Sequence, residues 1–155
     1  MYLKYLKTVL RHKWFVGQEC FKVGLYWRGL VHDWSKFLPD EFLSYAKFFE
    51  GGYKYGEQPE ALKAAFAAAW NEHQKRNSHH YQYHMLTWDR GDTECLPMPL
   101  KDCMEMLCDW RGAGRTYGNT DTRGWYLKNK GNIHLHPDTR RWVELHLQVE
   151  PESLA

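Results

Sequence analysis

The sequence has no apolar run approaching the ~20 residues of a membrane-spanning helix. It has no C-x-x-C pair, no glycine-rich phosphate loop of the Walker or Rossmann kind, and no serine or cysteine in a recognisable nucleophile motif. These absences exclude a helical membrane span, a structural zinc site built on cysteine, phosphate binding on a P-loop, and a covalent intermediate on an activated hydroxyl or thiol. Cys20, Cys95, Cys103 and Cys108 are accordingly expected as reduced, mostly buried thiols. Met1 to Leu10 carries Lys4 and Lys7 among apolar residues and lacks the uninterrupted apolar core of a secretion signal, so a cytoplasmic location is expected. An excess of charge is missing too. The net charge is +2 with a pI near 8.3, short of the strongly basic balance of a dedicated nucleic-acid binder.

Aromatic residues and histidine are abundant instead. Eight Trp, ten Tyr and seven Phe in 155 residues argue against disorder and for a packed core, and nine His argue for metal. The length fits one domain, 1–155, with a ligand-bearing core over about 2–112 and a C-terminal loop and helix over 113–150.

Helical spacing dominates the chain. Leu3, Leu6, Leu10, Val16 and Phe21 approximate one apolar stripe from Tyr2 to about Leu25, and Leu25, Leu30, Val31 and Trp34 read as a second, buried helix. Leu38-Pro39-Asp40-Glu41 opens a third, with proline in the first turn and acids at the positive end of the dipole. It stops at Gly51-Gly52. Pro59-Glu60 opens the next, running to about Lys75, and residues 77–98 read as irregular, without strand pairs. A helix from Leu100 to about Arg111 follows. Gly112 to Gly131 is expected as a loop holding one helical turn at Trp125-Tyr126-Leu127, and Pro137 starts a last helix ending near Val149. The expected fold class is all-α, a single helical bundle.

Candidate chemistry sits where His and Asp fall on these helices. His12 borders the apolar stripe of the first, His32-Asp33 lies on the second, His73 on the alanine-rich helix with His79-His80 just past it, and Asp109 among apolar neighbours. A buried carboxylate is costly unless paired or bound to metal. Asp102 and Glu105 compete with Asp109 on nearly the same helical face, but Asp109 has the more apolar surroundings. Adjacent His and Asp reach one centre only from a helix end or kink, which Gly29 and Pro39 make available. His84, His134, His136 and His146 are read as ordinary surface or core residues.

The ordered set His12, His32-Asp33 and Asp109 resembles the H…HD…D signature of the HD phosphohydrolase superfamily, and His32-Asp33-Trp34-Ser35-Lys36 resembles its HD-x-x-K element. His73 and His79-His80 resemble the additional histidines of binuclear members, which include the HD-GYP cyclic-dinucleotide phosphodiesterases and the mixed-valent di-iron oxygenases. Ala69-Trp70-Asn71-Glu72-His73 with Asn77-Ser78-His79-His80 also looks like a small uncharacterised family of phages and bacteria.

The resemblance implies an HD-type bundle on which His12, His32, Asp33, His73, His80 and Asp109 hold one or two divalent transition metals (Mn, Fe, Co, Ni or Zn), with Asp33 bridging if there are two. It implies hydrolysis of a nucleotide or other phosphoester by metal-activated water, with Lys36 beside the substrate phosphate. Arg76 and Arg111 are candidates to offset phosphate charge, His79 to protonate the leaving oxygen, and Trp125 with Tyr126 to stack a base. A di-iron oxygenase on the same scaffold, or a binding or inhibitor module without turnover, remains open. The expected partner is a small phosphorylated substrate, a homo-oligomer is compatible, and a phage-encoded chain would act in the host cytoplasm.

Overall fold

The computed structural model describes residues 1–149; residues 150–155 of the expected domain lie outside them. The order is α1 (Tyr2–Lys22), α2 (Tyr26–Val31), a 3₁₀ turn (Trp34–Phe37), α3 (Pro39–Glu50), α4 (Glu60–Arg76), a 3₁₀ turn (Tyr81–His84), β1 (Met85–Thr87), β2 (Thr93–Cys95), α5 (Leu100–Tyr117), α6 (Thr122–Asn129), a 3₁₀ turn (Lys130–Asn132) and α7 (Pro137–His146). Among the described residues the chain is all-α apart from one small antiparallel hairpin, in which Met85 pairs with Cys95 and Thr87 with Thr93. Strands of three residues are too short to show a period of two. The sequence therefore reads as irregular there.

α1 and α5 form the central seam, with α2 and α3 against α1 and α4 against α3. The buried residues of α1 are Tyr5, Val9, His12, Val16, Glu19 and Cys20; of the expected stripe Val16 is buried and Leu6 half-buried, but Leu3, Leu10 and Phe21 are exposed. A histidine belongs to the true inner face, so a count of apolar residues alone misplaces it. The second helix also differs from expectation: Leu25 is buried, but Leu30, Val31 and Trp34 are exposed, and α2 ends at Val31.

The largest departure is at the glycines. α5 does not stop near Arg111 but continues through Gly112 and Gly114 to Tyr117, and the single turn expected at Trp125-Tyr126-Leu127 is a full helix, α6. Gly112 is helical because α1 passes too close for a side chain: a Cβ there would lie 2.4 Å from Val16 Cγ2 and 2.7 Å from Val16 N. The glycine that ends α5 is Gly118, at φ +83°. α6 starts on Asp121, whose side chain accepts from Gly124 N at 2.8 Å. Val16 and Gly112 lie one helical turn beyond His12 and Asp109 respectively, so this close contact sets the distance between those two side chains.

Among the described residues no helix is long and apolar enough to cross a membrane.

Candidate metal centre

Successive residues of a helix point about 100° apart, so an adjacent His and Asp cannot both face one centre from within it. The chain resolves this by leaving α2. His32 adopts φ −48°, ψ 131°, and Asp33 then turns left-handed at φ 52°, ψ 29° before the 3₁₀ turn. A non-glycine residue in that region is strained by order of 1 kcal/mol and is held by its surroundings. Lys13 of α1 supplies part of the hold, with Nζ donating to the Leu30 and His32 carbonyls at 2.7 Å each. Gly29 serves close packing here: a Cβ on it would meet Cys20 Cβ at 2.9 Å.

Six side chains gather around Asp33. His12 Nε2 lies 3.3 Å from Asp33 Oδ2 and 3.1 Å from Asp109 Oδ1, and His32 Nε2 lies 3.5 Å from each of the same oxygens. On the other carboxylate oxygen, Asp33 Oδ1 is 3.4 Å from both His73 Nε2 and His79 Nε2, while His80 Nε2 is 2.9 Å from His73 Nε2. Two ligands bound at about 2.0–2.2 Å and about 90–110° apart are separated by about 3.0–3.5 Å. The separations around both oxygens are of this size. Asp33 thus faces two adjoining nests, one made with His12, His32 and Asp109, the other with His73 and His80.

The hydrogen bonding favours the same reading. His12 Nδ1 and Nε2, His32 Nε2, Asp33 Oδ1 and His79 Nε2 are buried and make no hydrogen bond. An unsatisfied buried polar atom costs about 1–3 kcal/mol, so five around one point need an explanation. Divalent cations in the two nests would satisfy the four that face Asp33 or its neighbours, His12 Nε2 and His32 Nε2 in one and Asp33 Oδ1 and His79 Nε2 in the other. The residues present therefore fit a metal bound by imidazole and carboxylate, a donor set that suits Mn, Fe, Co, Ni or Zn.

Behind the candidate ligands stand carboxylates that hold the rings. His32 Nδ1 meets Glu105 Oε1 at 2.9 Å, His79 Nδ1 lies 3.4 Å from the same oxygen, and His73 Nδ1 meets Glu41 Oε2 at 2.8 Å. Each carboxylate fixes the tautomer that leaves Nε2 facing Asp33. Arg28 donates to Glu105 at 2.9 Å and also to Asp102, and Arg76 donates to Glu41 and to Asp40, at 2.8 Å each. Ser35 Oγ donates to Glu41 at 3.0 Å. Burial opposes charge on all of these groups. At Asp33 the His32 and Lys36 charges outweigh it and keep the carboxyl well below its usual range. At His32 the Asp33 charge, with Asp109 and Glu105, outweighs it and raises the imidazole to about 10. His80 is pushed well below the usual range by burial, reinforced by His79.

A cavity of about 290 Å³ opens onto this centre, reached by His12, Lys36, His80 and Asp109 and walled by aromatic side chains. Lys36 Nζ pairs with Asp33 Oδ2. The six expected ligands (His12, His32, Asp33, His73, His80 and Asp109) are all brought together. His79, expected as a proton donor, lies among the candidate ligands with its Nε2 toward Asp33 and Asp109, and does not line the cavity. Arg76 lies behind His73, paired with Asp40 and Glu41. Arg111 lines a separate groove with Arg115 and Arg123. Trp125 packs on Trp110, with ring centroids 5.2 Å apart, in a third hollow that shares only Ala113 and Tyr117 with the metal cavity, while Tyr126 is fully buried and cannot stack a base. Glu41 and Glu105 were missed as ring-holding residues. Their local signals, acid at a helix start and acid one turn before Asp109, are common ones with ordinary meanings.

A family model described as a family of unknown function (DUF5662) matches residues 1–149, and the chain belongs to that family. No curated protein and no solved structure matches it.

Proposed function

We propose that the chain is a metal-dependent phosphohydrolase of the HD type, acting on a nucleotide or other phosphoester in the cytoplasm. One observation carries this reading: Asp33 turns one carboxylate oxygen into each of two histidine nests, beside a cavity in which Lys36 is the only lining lysine or arginine among the described residues.

His12, His32, Asp33 and Asp109 would hold one ion, and Asp33, His73, His80 and His79 a second. Such ions lower the pKa of a bound water from 15.7 toward about 7 and polarise a phosphoryl oxygen. The protein supplies the rest. Glu105 and Glu41 keep the imidazoles aimed, and Lys36 places its ammonium where phosphate charge develops. No nucleophilic side chain is required. The aromatic walls of the cavity favour one second reading, oxidation of an apolar substrate at a di-iron centre on the same residues.

The test is hydrolysis of p-nitrophenyl phosphate and of nucleotides by the purified chain with Mn or Co. Turnover is expected, and Lys36→Ala should lower it about 100-fold with metal content unchanged. Loss of metal in Lys36→Ala would overturn the role given to that lysine. Metal uptake without hydrolysis, but with oxygen consumption by the iron-loaded chain, would favour the oxygenase; metal uptake with neither would leave a binding module.

A further inference from the structure

α1 is apolar on its outer side as well as its inner one. Leu3, Leu10, Trp14 and Phe21 are exposed, and with Gly17 they follow one another at intervals of seven, four, three and four residues. That is the 3.5-residue period by which one helix packs along another, with Lys7 in the position between Leu3 and Leu10. At about 100° per residue the row lies nearly opposite the buried row of Tyr5, Val9, His12 and Val16, so the chain's own core does not account for it.

α2 continues this face. The Tyr26 ring stands edge-on to Phe21, with centroids 5.4 Å apart, and Leu30 joins Leu10, Trp14 and Phe21 around a groove of about 400 Å³. The floor of the groove is backbone: a Cβ on Gly29 would lie 3.1 Å from Phe21 Cε1, and one on Gly17 would lie 3.5 Å from the Gly29 carbonyl oxygen. Ridge and recess thus lie side by side on one surface. Trp27, three residues before Leu30, extends it. Trp14 is 65% exposed, Trp27 73%, Tyr26 61% and Leu30 58%. With about 150–250 Å² for a whole aromatic side chain, the face leaves roughly 700 Å² of apolar surface in water. The largest apolar patch of a typical monomer is about 300–600 Å², and one partner of a stable interface contributes about 800 Å². The face exceeds the first and approaches the second.

Charge decides what covers it. Among the described residues no acid beside the groove faces into it, and its lysine, Lys13, donates to the Leu30 and His32 carbonyls at 2.7 Å each. Cations at the border are engaged within the chain: Lys4 with Glu50, Lys22 with Glu19, and Arg11 over the Phe15 ring. An anionic bilayer would be held by free cations around an apolar face. A twofold dimer sets a face against its own copy, which a neutral surface permits and a charged one opposes.

We propose that the α1–α2 face is covered by the same face of a second copy of this chain, in a twofold dimer centred on Trp14 and Leu30. Its seam is the outer row of α1, which points away from His12, so the proposal does not depend on the chemistry of the metal centre.

Sedimentation velocity of the full chain from about 1 to 100 μM tests it. A species of twice the 18.6 kDa chain mass is expected. Trp14→Glu and, separately, Leu30→Glu should each weaken dimerisation by at least about 30-fold, as loss of a central interface residue does, with an unchanged helical circular dichroism spectrum. Tyr55→Glu, at an exposed aromatic between α3 and α4, should leave the dimer intact. A monomer throughout that range would overturn the proposal, as would a dimer that both the Trp14 and Leu30 variants leave untouched. A monomer that sediments with phosphatidylserine-containing vesicles, and is released from them by Trp14→Glu, would overturn it in favour of a membrane surface.

Discussion

Glu105 is shared by two imidazoles, His32 and His79, and is itself held by Arg28. Its carboxylate is kept ionised against the effect of burial by the His32 hydrogen bond and the His79 and His32 charges. A carboxylate behind a ligating histidine affects affinity without touching the ion, and its removal typically costs 10–100-fold. Glu105→Gln should therefore weaken Mn or Zn binding by about 10–100-fold with an unchanged helical spectrum, as measured by metal titration and circular dichroism. An unchanged affinity would mean that Glu105 only neutralises Arg28.

At the scale of elements, the α1–α5 seam is set by Gly112 against Val16. The nearest atoms to an added Cβ include Val16 N at 2.7 Å and Cα at 2.9 Å, which no rotamer change can move. Gly112→Ala must separate the helices and should lower stability by about 1–3 kcal/mol in denaturant unfolding. Because His12 and Asp109 lie one turn away on the same two helices, metal affinity should fall with it. Wild-type stability and metal binding in Gly112→Ala would show that the seam tolerates a wider spacing.

For the whole molecule, four buried polar atoms of the His/Asp cluster without hydrogen bonds would tie stability to any ion that binds only the folded chain. At a metal concentration 100 times the dissociation constant this linkage contributes about 2.7 kcal/mol. Chelation should lower Tm by several degrees and re-addition of metal should restore it. In Asp33→Ala, which removes the oxygens common to both nests, metal should not shift Tm. A metal-induced shift as large as in wild type would place the ion elsewhere.

What the sequence determined by itself is whatever depends on local spacing. Pro39 and Pro59 mark helix starts because proline fits only a first turn, and the adjacent His32-Asp33 implied a break in the helix because neighbours cannot share a face within one. Gly112 shows the limit. Read locally, a glycine weakens a helix, but here its missing side chain is what lets α1 and α5 approach, and only the partner helix could reveal that. The same holds for Glu41 and Glu105, whose partners lie 32 and 73 residues away in the chain. Which side chains gather around Asp33 was written in residue type and order. Their distances, the rings' supports and the aromatic cavity above them follow from packing between distant segments, which no local pattern encodes.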